Sequence, residues 1–334
     1  ATAAAQAQAV AQQILAALDL TYNLQGHAYA NTISIGVVIF QGEAESISNL
    51  LKKADLAMYR AKSLGRNRAS IFDASMQAQV QARDTLLHDM RCGLDAGEFL
   101  LHYQLQVDTT GAPVGAEALL RWQHPQHGLM LPGQFLELAQ DSNLILPLSQ
   151  WVLRTACAQL LQWAKSPQTA DWTLAINVGA CQLTQADFVQ QVLCTVQASG
   201  AAAARLTLEL TEGTLLRDVE DVIAKVNALR SAGVRFCLDD FGVGITSLGY
   251  LRRLPLAQIK LDQAMVHAAS SDSSVAVLAR AIVDLGASLG VPVIAEGIET
   301  AAQRDYCAAL GCAAFQGNYF AAPAVVADLP VKFT

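Results

Sequence analysis

The chain has 334 residues, 53% of them apolar and 15% charged, which fits a large buried core and argues against a disordered chain. Its formal charge of −7 disfavours non-specific binding to duplex nucleic acid. It leaves room for a small phosphorylated ligand, because bound divalent cations reverse a local field. No apolar run reaches membrane-spanning length and no segment resembles a signal peptide, so the sequence predicts no membrane contact within this stretch.

The alanine- and glutamine-rich start, Ala1 to Ala9, reads as part of a helix that begins within a longer chain. Residues 1–72 then read as helix, strand, helix, strand. Thr32 to Phe40 is a β-branched run closed by Gln41-Gly42. Ile47 to Ser63 carries Leu50, Leu51, Ala54, Ala57 and Met58 on one helical side and stops at Gly65, a C-cap residue. Ile71-Phe72 opens a short closing segment, and the polar residues 73–91 read as a linker helix into a second domain at 92–334.

In that domain strands are expected at 99–107, 115–121, 173–178, 205–211, 234–239, 257–261, 292–296 and 313–320. Helices are expected between most of them, at Leu146–Ala164, Ala186–Ala198, Val219–Ala232, Val275–Leu289 and Ala301–Leu310. Eight strands with helical crossovers over this length fit an α/β barrel better than an open doubly wound sheet. The absence of Gly-x-Gly-x-x-Gly after an early strand weakens a dinucleotide fold further. The seven cysteines (Cys92, Cys157, Cys181, Cys194, Cys237, Cys307 and Cys312) form no Cys-x-x-Cys pair. That argues against a zinc site and for a reducing, cytoplasmic compartment.

Several strands end in acidic or amide residues: Glu117 to Arg121, Ile176-Asn177, Leu208 to Glu212, Cys237 to Phe241, Ile259 to Asp262 and Ala295 to Glu299. Carboxylates delivered in series to one barrel mouth repel unless cations or protons neutralise them. In Leu206 to Thr211 the leucines share one face and Thr207, Glu209 and Thr211 the other. With the leucines against the outer helices, Glu209 points into the barrel, where it needs a partner. Glu117, Leu119 and Arg121 also share a face, spanning roughly 13 Å if extended, so a metal ligand and a phosphate-binding arginine can meet two points of one ligand.

Asp239 and Asp240 reach one site only if the strand ends there, and Phe241-Gly242-Val243-Gly244 supplies an exit. Such a pair suits a bridge across two hard cations. The alternative is a helix-capping Asp with a solvated neighbour. Lys260 is either a buried ion-pair partner or a group that orients a nucleophilic water. Asp-Phe-Gly matches a kinase triplet, but the other kinase motifs are missing. His124 and His127 flank a proline in a loop and read as structural.

Taken together, residues 87–334 resemble an EAL domain, the cyclic-di-GMP-specific phosphodiesterase family. The resemblance rests on Glu117-Ala118-Leu119-Leu120-Arg121-Trp122, Asn177-Val178, Glu209-Leu210-Thr211-Glu212, Asp239-Asp240-Phe241-Gly242, Lys260-Leu261-Asp262, Ala295-Glu296-Gly297-Ile298-Glu299 and Phe315-Gln316-Gly317, in the family's order. It implies a TIM-like (β/α)8 barrel whose first strand runs antiparallel. It also implies metal-dependent hydrolysis of cyclic-di-GMP to linear pGpG in bacterial second-messenger signalling, by a homodimer formed through the barrel.

Carried onto this sequence, the resemblance gives one Mg²⁺ or Mn²⁺ to Glu117, Asn177, Glu209 and Asp239, and a second to Asp239, Asp240 and Glu296. Lys260 would contact the attacking water and Arg121 a phosphate oxygen. Gln104, Leu119, Asp262 and Gln316 would lie along the substrate. Glu212 would steady the loop after Asp240, and Glu299 with Gln316 would complete the water and metal shell.

Residues 1–72 resemble the C-terminal half of a GGDEF (diguanylate cyclase) domain, through Ser34-Ile35-Gly36-Val37 and Ala54 to Asn67. The Gly-Gly-Asp-Glu-Phe signature is absent, so no cyclase activity is expected from this stretch. Two departures from the EAL pattern stand out. Val243 and Ile245 replace a hydroxyl and an aromatic residue in the loop after Asp240, and Leu105 replaces a proline. The altered loop raises a second reading, a receptor that binds cyclic-di-GMP and barely cleaves it. A barrel enzyme of the enolate-forming type shares the carboxylates and lysine but fits the motif order poorly.

Overall fold

The computed structural model describes residues 2–24, 27–42, 45–215, 218–242, 248–269 and 272–330. The chain forms two compact units, Ala1–Met90 and Arg91–Thr334.

In the first unit α1 (Ala3–Leu18) precedes a hairpin of β1 (Thr21–Leu24) and β2 (His27–Ala30). Then come β3 (Ser34–Val37), α2 (Ile47–Ser63) and β4 (Arg68–Ile71). Strands β3 and β4 pair in parallel, as an intervening crossover helix requires. Ser46 caps α2 by accepting from the Asn49 N–H. The helix lies so close to β3 that a Cβ on Gly36 would meet the Ala54 carbonyl oxygen at 2.0 Å. The sequence pattern anticipates β3, α2 and β4. It does not anticipate the β1–β2 hairpin, and the β-branched run from Thr32 to Phe40 forms a strand only over Ser34–Val37.

Helix α3 (Ala74–Ala96) leads into the second unit: β5 (Phe99–Asp108), β6 (Pro113–His124), β7 (Gly128–Met130), α4 (Leu136–Asp141) and α5 (Ile145–Trp163). There follow β8 (Thr173–Asn177), α6 (Ala180–Leu183), α7 (Phe188–Ser199), β9 (Leu206–Thr211), α8 (Glu212–Leu215), α9 (Val219–Ser231) and β10 (Arg235–Phe241). The chain continues through α10 (Leu248–Leu251), β11 (Gln258–Leu261), α11 (Gln263–Ala268), α12 (Ser273–Leu289), β12 (Val293–Ala295), α13 (Ala301–Leu310) and β13 (Ala314–Gln316).

Strands β6, β8, β9, β10, β11, β12 and β13 lie side by side in parallel, and β5 closes the ring by pairing antiparallel with both β13 and β6. The result is an eight-stranded α/β barrel with one reversed strand. Strand β7 is a short antiparallel addition outside the ring, on β6.

The barrel core follows the alternation read from the sequence. Leu206, Leu208 and Leu210 are buried with Val222, Val226 and Leu229 of α9, while Glu209 takes the opposite face. Helix ends are specified locally. Thr300 and Gln303 form a capping box on α13, and Gly200, Gly290 and Gly311 close α7, α12 and α13 in left-handed geometry. His124 is buried beside Trp122, and its Nδ1 accepts from the Gln126 and His127 amides. The structural reading of that histidine therefore holds.

Candidate active site

The parallel strands present their C-terminal ends at one mouth of the barrel, and the strand-end carboxylates converge there around Lys260. Its ammonium lies 2.9 Å from Glu117 Oε2, 2.7 Å from Glu209 Oε1, 2.6 Å from Glu296 Oε1 and 3.8 Å from Asp239 Oδ1. Lys260 and Glu209 are each only 1% exposed. Four carboxylates from β6, β9, β10 and the segment after β12 thus face one cation. Fully ionised they would leave a buried excess of negative charge, which is costly in a low-dielectric interior.

The groups divide the load unevenly. Burial opposes ionisation of Glu117, but attraction to Lys260 and hydrogen bonds from Lys260, Gln316 and Asn177 hold its carboxyl below the usual range. Burial and then repulsion from Glu117 push Glu209 well above it. Burial is also the leading cause that raises Asp239, Asp240 and, to about 8, Glu296. Burial would lower Lys260, yet the surrounding carboxylates raise it well above its ordinary value. Among the described residues no hydrogen bond engages either oxygen of Glu209, although the Lys260 ammonium forms an ion pair with its Oε1.

Asp239 and Asp240 reach the site by a different route from a strand terminus. Strand β10 runs on to Phe241. Its register against β11 slips between Leu238 and Phe241, which pair with Ile259 and Leu261, so one extra residue is accommodated. This bulge places Asp240 at φ 53°, a left-handed conformation that Asp tolerates better than most side chains. Ligand oxygens of Asp239, Asp240 and Glu296 consequently lie within 4.8 Å of one another. All are hard oxygen donors. With the unserved Glu209 oxygens beside them, they fit a divalent cation.

Glu117 is held on three sides. Asn177 Nδ2 donates to its Oε1 at 2.6 Å, while Gln316 Nε2 and Lys260 donate to its Oε2 at 2.7 and 2.9 Å. Gln104 and Gln316 join Glu117, Glu296 and Glu299 in lining a cavity of about 170 Å³. The close approach of two turns shapes this wall. A Cβ on Gly317 would meet the Ile298 carbonyl oxygen at 2.1 Å, and the two segments exchange backbone hydrogen bonds.

The remaining expected residues stand apart from that cavity. Arg121 is buried and donates to the Leu120 carbonyl. Leu119 is half-buried on the same strand. Asp262 caps α11 through the Ala264 N–H. Glu212 is buried at the start of α8. The loop it is expected to steady, including Val243 and Ile245, lies outside the described residues. The sequence reading passed over Gln263 and Asn318, which also line the cavity, and Gln106, whose amide meets Gln316. Alternation along β5 puts Gln104 and Gln106 on one face, a signal available without the structure.

The sequence matches the EAL domain family over residues 87–323, and over residues 1–68 the family described as diguanylate cyclase, GGDEF domain. The chain therefore belongs to the EAL-domain family and carries part of a GGDEF domain at its N-terminal side. Among curated proteins it is 38% identical over 320 residues to the bifunctional diguanylate cyclase/cyclic di-GMP phosphodiesterase MucR of Pseudomonas aeruginosa, covering 96% of this chain and 47% of that protein. It is 33% identical over 327 residues to the cyclic di-GMP phosphodiesterase NbdA of the same organism, covering 97% of this chain and 41% of NbdA. The chain thus spans about half or less of the length of these relatives. Among solved structures, the MucR phosphodiesterase in complex with c-di-GMP superposes with a TM-score of 0.72 at 40% identity, covering 74% of this chain and 100% of that one.

Proposed function

We propose that this chain hydrolyses cyclic-di-GMP to linear pGpG with the help of two divalent cations, Mg²⁺ or Mn²⁺. The observation that carries the reading is the convergence of Glu117, Glu209, Asp239 and Glu296 on Lys260, with the oxygens of Asp239, Asp240 and Glu296 within 4.8 Å of one another. Glu117, Asn177, Glu209 and Asp239 would hold one cation, and Asp239, Asp240 and Glu296 the other. When bound, the pair supplies Lewis-acid polarisation of a water and charge neutralisation at the phosphate.

The protein's own groups do the rest. Lys260 holds the attacking water in line with one phosphorus, and Arg121 holds a non-bridging phosphate oxygen. The water oxygen joins phosphorus, the bond to the 3′ oxygen breaks, and the released proton ends on that 3′ oxygen. A single cleavage opens the ring and leaves a 5′-phosphate. Glu299 and Gln316 complete the shell around water and cation, and Gln104, Leu119 and Asp262 lie along the substrate. Dimerisation through the barrel and a cytoplasmic location belong to the same reading. Among the described residues no helix is long and apolar enough to cross a membrane.

The test is turnover of cyclic-di-GMP with Mg²⁺ or Mn²⁺, followed as linear product. Glu117→Ala should abolish it while circular dichroism and the melting temperature stay those of a folded protein. An unchanged rate in that variant would remove Glu117 from the ligand set. The substitutions at Val243 and Ile245 support a second reading, a receptor with weak turnover. Affinity and turnover measured on one sample separate the two, since tight binding with negligible cleavage describes a receptor.

A further inference from the structure

Gln106 sits on β5 directly opposite Gln316 of β13, is 2% exposed, and lies one residue pair away from the cavity wall. Its Nε2 donates to Gln316 Oε1 at 3.0 Å. With its oxygen engaged, Gln316 turns its Nε2 towards Gln104 Oε1 at 3.1 Å and Glu117 Oε2 at 2.7 Å. Gln104 Nε2 in turn faces Asn318 Oδ1 at 3.4 Å. The polarity runs one way, from amide to amide and then to a carboxylate.

An amide has two nearly isosteric orientations, and only its partners select one. If Gln316 reversed, its carbonyl oxygen would face the Glu117 carboxylate and a buried oxygen would lose its donor, a penalty paid in a low-dielectric site. Glu117 Oε2 and Gln104 Oε1 both call for the Gln316 amino group on their side, which leaves its oxygen in need of a donor on the other. Gln106 supplies the missing donor there.

We infer that Gln106 is a positioning residue for the proposed cation site: by engaging the Gln316 oxygen it locks the amide that Glu117 and Gln104 orient, and through it holds the aim of Glu117. The inference rests on the two-cation reading above, and it concerns a residue outside the cavity lining. Residues that hold a ligand in place by hydrogen bonding from behind change metal affinity or activity by about 10- to 100-fold when removed.

The experiment is a calorimetric titration of the whole chain with Mn²⁺ alone, so that no turnover is needed. Gln106→Met keeps the length and removes the donor, and should weaken Mn²⁺ binding by about 10-fold. Gln316→Met should weaken it by a similar factor, and the double variant should be no weaker than Gln316→Met, because both act along one path. Gln106→Glu, when ionised, offers only acceptors, sets oxygen against the Gln316 oxygen, and should bind more weakly than Gln106→Met. Gln106→Asn provides the same comparison if the methionine variant does not fold. Unchanged Mn²⁺ affinity in Gln106→Met, or losses that add fully in the double variant, overturns the role of Gln106 and leaves the cation site standing. If the parent chain binds no Mn²⁺, the two-cation reading falls, and this inference with it.

Discussion

Lys260 offers one positive charge to four carboxylates, and its removal would leave them facing each other across a buried space. Breaking a buried ion pair from one side costs about 3–5 kcal/mol, mostly through the charge left without a partner. Lys260→Met should therefore lower the melting temperature of the metal-free protein, and added Mn²⁺ should recover part of that loss. A metal-free variant as stable as the parent would show that the carboxylates do not depend on the ammonium. Tyr103 carries a second residue-scale expectation, on the outer side of β5 against Trp163. Burial pushes its hydroxyl up to about 12 from the ordinary 10.0. The folded state then keeps a proton that the unfolded chain loses above pH 10, so stability falls as pH rises from about 10 to about 12. The loss amounts to at most about 2–3 kcal/mol over two pKa units. Urea titrations at pH 9 and pH 11 should show the drop in the parent and a smaller one in Tyr103→Phe; equal drops in both would assign it to other groups.

Elements differ in how much of themselves they disclose in sequence. The inward aim of Glu209 was legible in Leu206 to Thr211, because side chains alternate with a period of two and the leucines must meet the helices. The joint aim of Asp239 and Asp240 was legible as a need and not as a geometry. It depends on a bulge and a positive φ at Asp240, which arise from register against β11 and leave no local pattern. The reversed direction of β5 is likewise a long-range pairing property, reached here only through the family resemblance. Alternation places Gln106 on the face of Gln104 despite the apolar neighbours Leu105 and Val107, but its partner Gln316 appears only when β13 is laid beside it. In the first unit, Gly36 belongs to the Ser34-Ile35-Gly36-Val37 motif, and the structure gives the reason for a glycine there: α2 occupies the space a Cβ would need. The atoms in the way are the Ala54 carbonyl oxygen and the Met58 nitrogen and Cβ, none of which can rotate aside. Gly36→Ala should destabilise this unit by at least the ~1–3 kcal/mol typical of overpacking. Hydrogen exchange should report it as faster exchange of the α2 and β3 amides, and unchanged protection there would refute the close contact.

At the scale of the whole chain, the site is a stability cost kept for a function. A barrel core is normally strengthened by filling its mouth with paired or apolar groups, whereas here buried Glu209 and Asp239 and half-buried Glu296 surround a single ammonium, and desolvation disfavours the charged form of each. A cation that binds the folded state alone should reverse the balance. At a concentration 100 times its dissociation constant it adds about 2.7 kcal/mol, so Mn²⁺ should raise the unfolding transition of the barrel unit and a chelator should lower it again. Sodium chloride at equal ionic strength should not substitute, because buried charges are screened little by bulk salt. Glu209→Gln makes the argument specific. It keeps the volume and removes one carboxylate from the buried cluster, so the metal-free protein should melt higher than the parent. The same change withdraws a proposed cation ligand, so the increment given by Mn²⁺ should shrink. The two shifts must appear together: a variant that is stabilised without metal and still gains the full Mn²⁺ increment would place the cation elsewhere, and one that is destabilised without metal would mean that Glu209 supports the fold instead of straining it.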